Sequence, residues 1–229
     1  MRRFFVETLA AIGGRQPLGE AAAHVHVLRL EVDTEVELFD GEGRRCRARL
    51  TGDDEAELLE ELPRVRRTGP TLILGLAKPP ATELSIRLAT ELGARALHFV
   101  FAKHSVPRSV GNKWLRFERI AREASRQSER TFVPRLMPPA PLRDVLARRS
   151  EHARGMYAWA RGGVQPERAG TDDWIAIGPE GGWSEEERQT FENASFEPIS
   201  LGVNVLRVPT AVAASLAVHG HLAARPDAK

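Results

Sequence analysis

The rhythm of apolar and polar positions changes near residue 70. Before it, the short stretches RFFVE, EVELFD and RRCRARL carry strand-type residues, and the glycines of FDGEGRR between the last two predict a hairpin turn. AAAHVHVLRL predicts a short helix. DDEAELLEELPR is ambiguous: its residue types favour a helix, with a final strand as the alternative. RTGP, at residues 67–70, punctuates the chain and predicts a domain boundary.

Beyond that point short apolar runs alternate with longer amphipathic ones. TLILGLA reads as a strand. ATELSIRLATELG reads as a helix, with Leu84, Leu88 and Leu92 at four-residue spacing and Gly93 where the helix would end. ALHFVF is the next strand. A long helix over 113–130 follows, then a short one near 142–149, strands at GMYAWA and DWIAIG, a helix from Glu185, a strand near FEPISL and a last helix from Ala211 that Thr210 can cap. Alternation of this kind predicts an α/β fold with a mostly parallel sheet. There is no internal repeat.

The long helix is one-sided. At 100° per residue, Phe117, Ile120, Ala121 and Ala124 share one face, while Lys113, Arg116, Arg119, Arg122, Arg126 and Arg130 spread round the rest. A solvated face usually mixes signs to gain i,i+4 pairs. This one is nearly single-signed, which favours contact with RNA or DNA phosphates over a plain solvated face. The local charge supports that reading. Residues 103–154 hold thirteen Lys or Arg against five Asp or Glu, whereas residues 1–67 hold eleven Arg against fourteen acids. Lysine occurs only at 78, 103, 113 and 229, so 29 of the 33 basic residues are arginine. That bias suits phosphate geometry and equally suits a GC-rich genome.

Other classes are excluded or left without support. No run of about 18 apolar residues exists to cross a membrane, and MRRFFVETLA lacks the apolar core of a signal peptide. The single cysteine, Cys46, rules out an internal disulfide and a cysteine-based zinc cluster. A cytoplasmic protein is expected. His24/His26 and His219/His221 are i,i+2 pairs that do not share a helix face, so no metal site is expected.

IAIGPEGGWSEEER, residues 175–188, reads as strand, glycine turn and helix start. It matches neither a P-loop, since no lysine follows Gly182, nor a dinucleotide fingerprint. Ser184 with Glu187 makes a capping box, and Glu185 and Glu186 add carboxylates to the first turn. These already satisfy the helix dipole and would repel a phosphate. A neutral or cationic ligand fits better, and a tight turn without any ligand is the plainer alternative. SLGVNVLRVPTAVAASLAV follows a strand, with Arg207 as its lone charge.

Taken in order, MRRFF, HVLRL…VELFDG, LAKPPATELSIRLATELGARAL, ASRQSERTFVPRL, IGPEGGWSEEE and LGVNVLR…TA resemble the bacterial 16S rRNA (uracil-N3) methyltransferases, the RsmE family of the SPOUT class, over nearly the whole chain. The resemblance implies a PUA-like, RNA-binding β-barrel at 1–68 and an α/β methyltransferase domain at 70–229 ending in a trefoil knot. It also implies a homodimer, S-adenosylmethionine as methyl donor, no metal, and 16S rRNA of the small ribosomal subunit as substrate. Carried onto this chain, the cofactor residues are Gly178, Gly181, Gly182, Leu201, Gly202, Val205, Leu206 and Ala160. Arg207 becomes a candidate to stabilise an anionic uracil or hold a phosphate. Glu180 is the remaining loop carboxylate that can take the N3 proton. Three positions depart from the pattern: Arg126 and Pro209 stand where the family has glutamate, and MYAWARG replaces a His-Pro segment. The alternatives are methylation at another RNA position, or an RNA-binding module without catalysis.

Overall fold

The computed structural model describes residues 1–106, 109–160 and 162–224. The chain divides into two compact units. One comprises Met1–Arg67 with Arg122–Val133; the other comprises Thr68–Ala121 and the chain from Pro134 onward.

In the first unit the strands are β1 (Arg2–Phe5), β2 (Arg15–Pro17), β3 (Glu35–Phe39), β4 (Arg45–Leu50) and β5 (Glu55–Glu61), with helix α1 (Ala21–Val27) between β2 and β3. The PUA-like barrel of the expectation takes the form of a five-stranded mixed sheet in the order β1-β3-β4-β5-β2. Strands β1 and β3 are parallel, and the other pairs are antiparallel. The ambiguous acidic segment is strand β5. Its alternation decides this: Ala56 and Leu58 enter the core beside Ala48 and Leu50, while Glu55 and Glu60 reach Arg15 and Arg47 of the neighbouring strands at 2.8 Å each. A helix would scatter both sets. Cys46 is fully buried on β4, and burial pushes its thiol pKa up, away from reactivity.

The second unit holds six parallel strands: β6 (Thr71–Gly75), β7 (Ala96–Val100), β8 (Arg135–Met137), β9 (Gly155–Ala158), β10 (Trp174–Ile177) and β11 (Phe196–Ile199). Their order is β11-β9-β10-β6-β7-β8. Strands β6 and β10 are buried along their whole length, as expected when helices cover both faces of a parallel sheet. On one face Ile73, Ala176 and Tyr157 lie in register and pack with Phe191 and Phe196. Helices α4 (Leu142–Leu146) and α5 (Glu185–Asn193) belong to this side, with the Phe191 ring stacked on Tyr157 at 4.9 Å. The alternate residues Leu72, Leu74, Ile175 and Ile177 are buried on the opposite face.

Helix α2 (Pro79–Glu91) packs against helix α6 (Val208–Ala223), which also rests on β10. The helix expected from the leucine spacing is present, and its buried face is built mostly of small residues rather than of those leucines. Thr82, Ser85, Ile86, Ala89 and Thr90 are buried, and Leu84 is 42% exposed. Small side chains let the backbone approach the alanine-rich α6. Helix α6 also begins earlier than expected, at Val208 with Arg207 as its N-cap rather than Thr210. Pro209 sits in the first turn, where a missing N–H costs nothing and the fixed φ suits the helix. Strands β2 and β8, three residues each, were not anticipated, because so short a stretch shows no alternation.

His98 on β7 is buried against Trp174, ring centroids 4.9 Å apart, and its Nδ1 has no hydrogen-bond partner among the described residues. Burial, then the charges of Arg148 and Arg95, lower its pKa from 6.5 to about 4. The unfolded chain therefore binds this proton more readily than the folded one. Stability is fully present above pH 6.5 and falls as pH drops through the window down to about 4. Urea unfolding across that window is expected to show the slope, and His98→Phe to remove its share of it. An unchanged slope in the variant refutes this assignment.

Candidate cofactor pocket and basic helix

Strands β11, β9 and β10 are neighbours and parallel, so the loops after them leave the same edge of the sheet. Ligands of open parallel sheets bind at that carboxyl edge. The three loops line one pocket of about 660 Å³. Gly178, Glu180, Gly181 and Gly182 come from the loop after β10. Leu201, Gly202, Val205 and Leu206 come from the loop after β11, and Ala160 from the loop after β9. Arg207 is exposed beside the pocket and is not part of its wall.

The β10 loop is built from close approaches. Gly182 N–H donates to the Pro179 carbonyl at 2.8 Å, and Gly182 takes φ +70°. A Cβ on Gly75, at the end of β6, would lie 2.5 Å from Pro179 Cδ. Helix α5 then starts with the complete capping box: Ser184 N–H donates to Glu187 at 2.7 Å, and Glu187 N–H to Ser184 Oγ at 3.3 Å. The other Glu187 oxygen accepts from Lys103 N–H at 2.8 Å, while Lys103 Nζ pairs with Glu186 at 3.0 Å. The dipole of α5 is thus met by carboxylates and offers nothing to a phosphate. Glu180 accepts from Lys78 N–H, the N-cap residue of α2, at 3.0 Å. Its visible task is to tie the loop to that helix start.

Sequence reasoning missed Lys103, His104 and Trp183, which also line the pocket. Lys103 and His104 follow β7 at the same carboxyl edge. The topology of a parallel sheet was the signal that could have found them. Trp183 is buried, edge-on to Phe191, and anchors the end of the loop.

The basic helix α3 (Trp114–Gln127) buries Phe117, Ala121 and Ala124 as expected, with Ile120 half-buried. Its cations are less free than their spacing implied, because carboxylates from other elements reach them. Within the second unit Arg116 pairs with Glu83 of α2 at 2.6 Å. Within the first, Arg122 pairs with Glu7 at 3.6 Å, and Arg126 pairs with Glu123 and meets the His24 ring. Arg130 is half-buried, and burial with the nearby charge of Arg67 lowers its pKa to about 10. Lys113 and Arg119 are exposed and have no ion pair among the described residues. Among the described residues no group of three or more His, Cys, Asp or Glu could hold a metal.

A family model described as an RNA methyltransferase domain matches residues 67–220, and one described as an RNA methyltransferase PUA domain matches residues 19–61. The ribosomal RNA small subunit methyltransferase E of Mycobacterium bovis is 32% identical, covering 98% of this chain and 93% of its own. This chain belongs to the ribosomal RNA small subunit methyltransferase E family. Its relative in Synechocystis is 30% identical over 83% of this chain and 67% of that one. Among solved structures of the family, the Neisseria gonorrhoeae enzyme bound to S-adenosyl methionine matches with a TM-score of 0.87 at 26% identity, over 97% of this chain and 98% of that one. A methyltransferase from Legionella pneumophila in complex with the same cofactor matches with a TM-score of 0.77 at 26% identity, over 96% of each chain. As a member of this family the chain is an RNA methyltransferase. Two of its departures now have local explanations. Pro209 starts α6, and Arg126 joins Glu123 and His24 rather than standing free.

Proposed function

We propose that this chain transfers a methyl group from S-adenosylmethionine to N3 of a uridine in 16S rRNA, within the small ribosomal subunit. In this reading residues 1–68 are the RNA-binding module, and residues 70–229 the methyltransferase domain with its C-terminal knot. The observation that carries it is the convergence of three loops on one pocket beside a capped, acidic helix start. The pocket is within the ~300–1,000 Å³ of small-molecule sites. Its glycine backbone can meet an adenosine edge, and its carboxylates suit a sulfonium cation. The fully exposed Val203 and the largely exposed Val205 fit a loop that is covered when the site fills. Leu84 on α2 and Val218 on α6 are exposed apolar side chains on two helices that pack together, which supports a homodimer. A cytoplasmic location follows from the substrate.

Small-subunit particles lacking the modification, incubated with enzyme and labelled S-adenosylmethionine, are expected to take up label at one uracil N3. Label at another position favours the wider SPOUT reading. RNA binding without turnover would make the chain a binding module.

Lys113 and Arg119 are the cations best placed for phosphate contact. Lys113→Ala with Arg119→Ala is expected to weaken RNA binding and to reduce the slope of log affinity against log salt by about 1–2. Arg126→Ala is expected instead to lower stability, since its side chain is only 15% exposed. An unchanged salt slope in the double variant returns this face to ordinary solvent.

A further inference from the structure

We propose that His104 is the general base of the methyl transfer, taking the N3 proton of the target uracil on its Nε2 atom. The proposal rests on the uracil-N3 reading above.

The geometry of one hydrogen bond fixes the tautomer. His104 Nδ1 lies 3.2 Å from the Gly182 carbonyl oxygen. A carbonyl only accepts, so Nδ1 carries the proton. The neutral ring then presents Nε2 as a bare lone pair, which is how an oriented imidazole is prepared for general-base work. The ring has its place because residue 181 is glycine: a Cβ there would lie 2.6 Å from His104 Cβ and 3.0 Å from Cγ. The loop that lines the pocket is therefore shaped around this imidazole.

Elimination leads to the same atom. The titratable groups on the pocket wall are Lys103, His104, Glu180 and Glu185. Lys103 is a cation held by Glu186 at 3.0 Å and has no lone pair to offer. Glu180 is tied to Lys78 N–H at 3.0 Å, and Glu185 accepts from Arg188 at 2.8 Å. Glu187, behind the wall, spends both oxygens on the backbone N–H groups of Ser184 and Lys103. Pro209 has no carboxylate. The charged groups around the ring are thus Lys103 from its own loop, Glu180 from the β10 loop and Glu185, Glu186 and Glu187 from α5. The exposed ring returns the proton to solvent.

The step balances. The N3–H bond breaks and the proton goes to Nε2, giving an imidazolium. The N3 lone pair forms a bond to the methyl carbon while the sulfur–methyl bond breaks, and that electron pair stays on sulfur as the neutral thioether of S-adenosylhomocysteine. Uracil N3–H is a weaker acid than imidazolium, so proton and methyl move in one concerted step rather than through a free uracil anion.

The test uses the full chain, unmodified small-subunit particles and three proteins: wild type, His104→Gln and His104→Ala. Glutamine can keep a donor to the Gly182 carbonyl but supplies no base. S-adenosylmethionine affinity is measured by calorimetry, and single-turnover methylation across the pH range in which imidazole titrates. The wild-type rate is expected to fall toward acid. His104→Gln is expected to lose about a hundredfold or more in rate, to lose that acid limb, and to bind the cofactor within about twofold of wild type. Added imidazole is expected to restore part of the His104→Ala rate. A His104→Gln rate within a few-fold of wild type, with the same pH profile, overturns the proposal and leaves the function intact. So does a loss of cofactor affinity in proportion to rate, which makes His104 a shaper of the loop. Absence of wild-type methylation at uracil N3 overturns the function itself, and the proposal with it.

Discussion

Gly75→Ala is expected to abolish most cofactor binding while the sheet stays folded. Gly75 ends β6, and an alanine methyl there would lie 2.5 Å from Pro179 Cδ and 2.8 Å from Pro179 N. Both contacts are with the first turn of the β10 loop. Pro179 cannot swing aside as a flexible side chain would, because its ring is part of the backbone. The strand is buried on both sides and cannot retreat. The loop must therefore move, by several tenths of an ångström or more, and take Gly178 and Gly181 with it. Overpacking of this kind costs about 1–3 kcal/mol of stability. Loss of cofactor affinity by at least about tenfold, or ~1.4 kcal/mol, is expected in calorimetry. Gly155→Ala is the control. A methyl there would meet the Phe196 ring at 2.5 Å, at the opposite end of the sheet from the pocket. It is expected to cost similar stability and to leave cofactor affinity within about twofold. Equal losses of affinity in both variants would show that the loop is not what Gly75 protects.

Asp173→Ala is expected to be the more damaging change to stability. Asp173 is 2% exposed and His219 6%. The Asp173 carboxylate accepts from Gly170 N–H at 2.8 Å and lies 3.3 Å from His219 Nε2, which is also 3.0 Å from the Gly170 carbonyl. Both neighbours of Nε2 are oxygens, so that nitrogen carries the proton and shares it. One carboxylate thus joins the loop before β10 to the last turns of α6. Removing it leaves the half-buried Gly170 N–H without an acceptor, at about 1–3 kcal/mol, and leaves the His219 N–H with the Gly170 carbonyl as its remaining acceptor. A loss of up to about 3 kcal/mol in denaturant unfolding is expected, with Asp173→Asn losing less because one oxygen remains. A loss below about 1 kcal/mol for the alanine variant would falsify the view that this group pins α6.

The sequence carried the alternation of strands and helices and the helix start at Glu185, because each of those signals is local. Ser184 with Glu187 is readable three residues apart, and it forms as read. What failed depended on partners distant in the chain. The acidic segment 53–64 has helical residue types, and the core beside β4 that takes Ala56 and Leu58, with the arginines of β2 and β4 opposite its glutamates, makes it a strand. The basic face of α3 looked unneutralised because Glu7 and Glu83 lie far away in sequence. The spacing of Leu84, Leu88 and Leu92 marks a helix but does not say which of its stripes meets a neighbour built of alanine, and Leu84 is exposed. The pocket divides the same way. Its glycine loops were readable one by one, whereas His104 becomes visible only when the parallel sheet puts the end of β7 on the same edge as the end of β10, with β6 between them.

Capping boxes ordinarily accept glutamine in place of glutamate. Glu187 has lost that freedom. Its second oxygen already receives Lys103 N–H at 2.8 Å, so a glutamine would turn an NH₂ group toward one backbone donor or the other. Donor would face donor, and either the helix cap or the wall that carries Lys103 and His104 would have to give way. At this position two side chains that most helix starts treat as synonyms have different meanings. A neutral substitution elsewhere becomes here a change in the shape of the pocket.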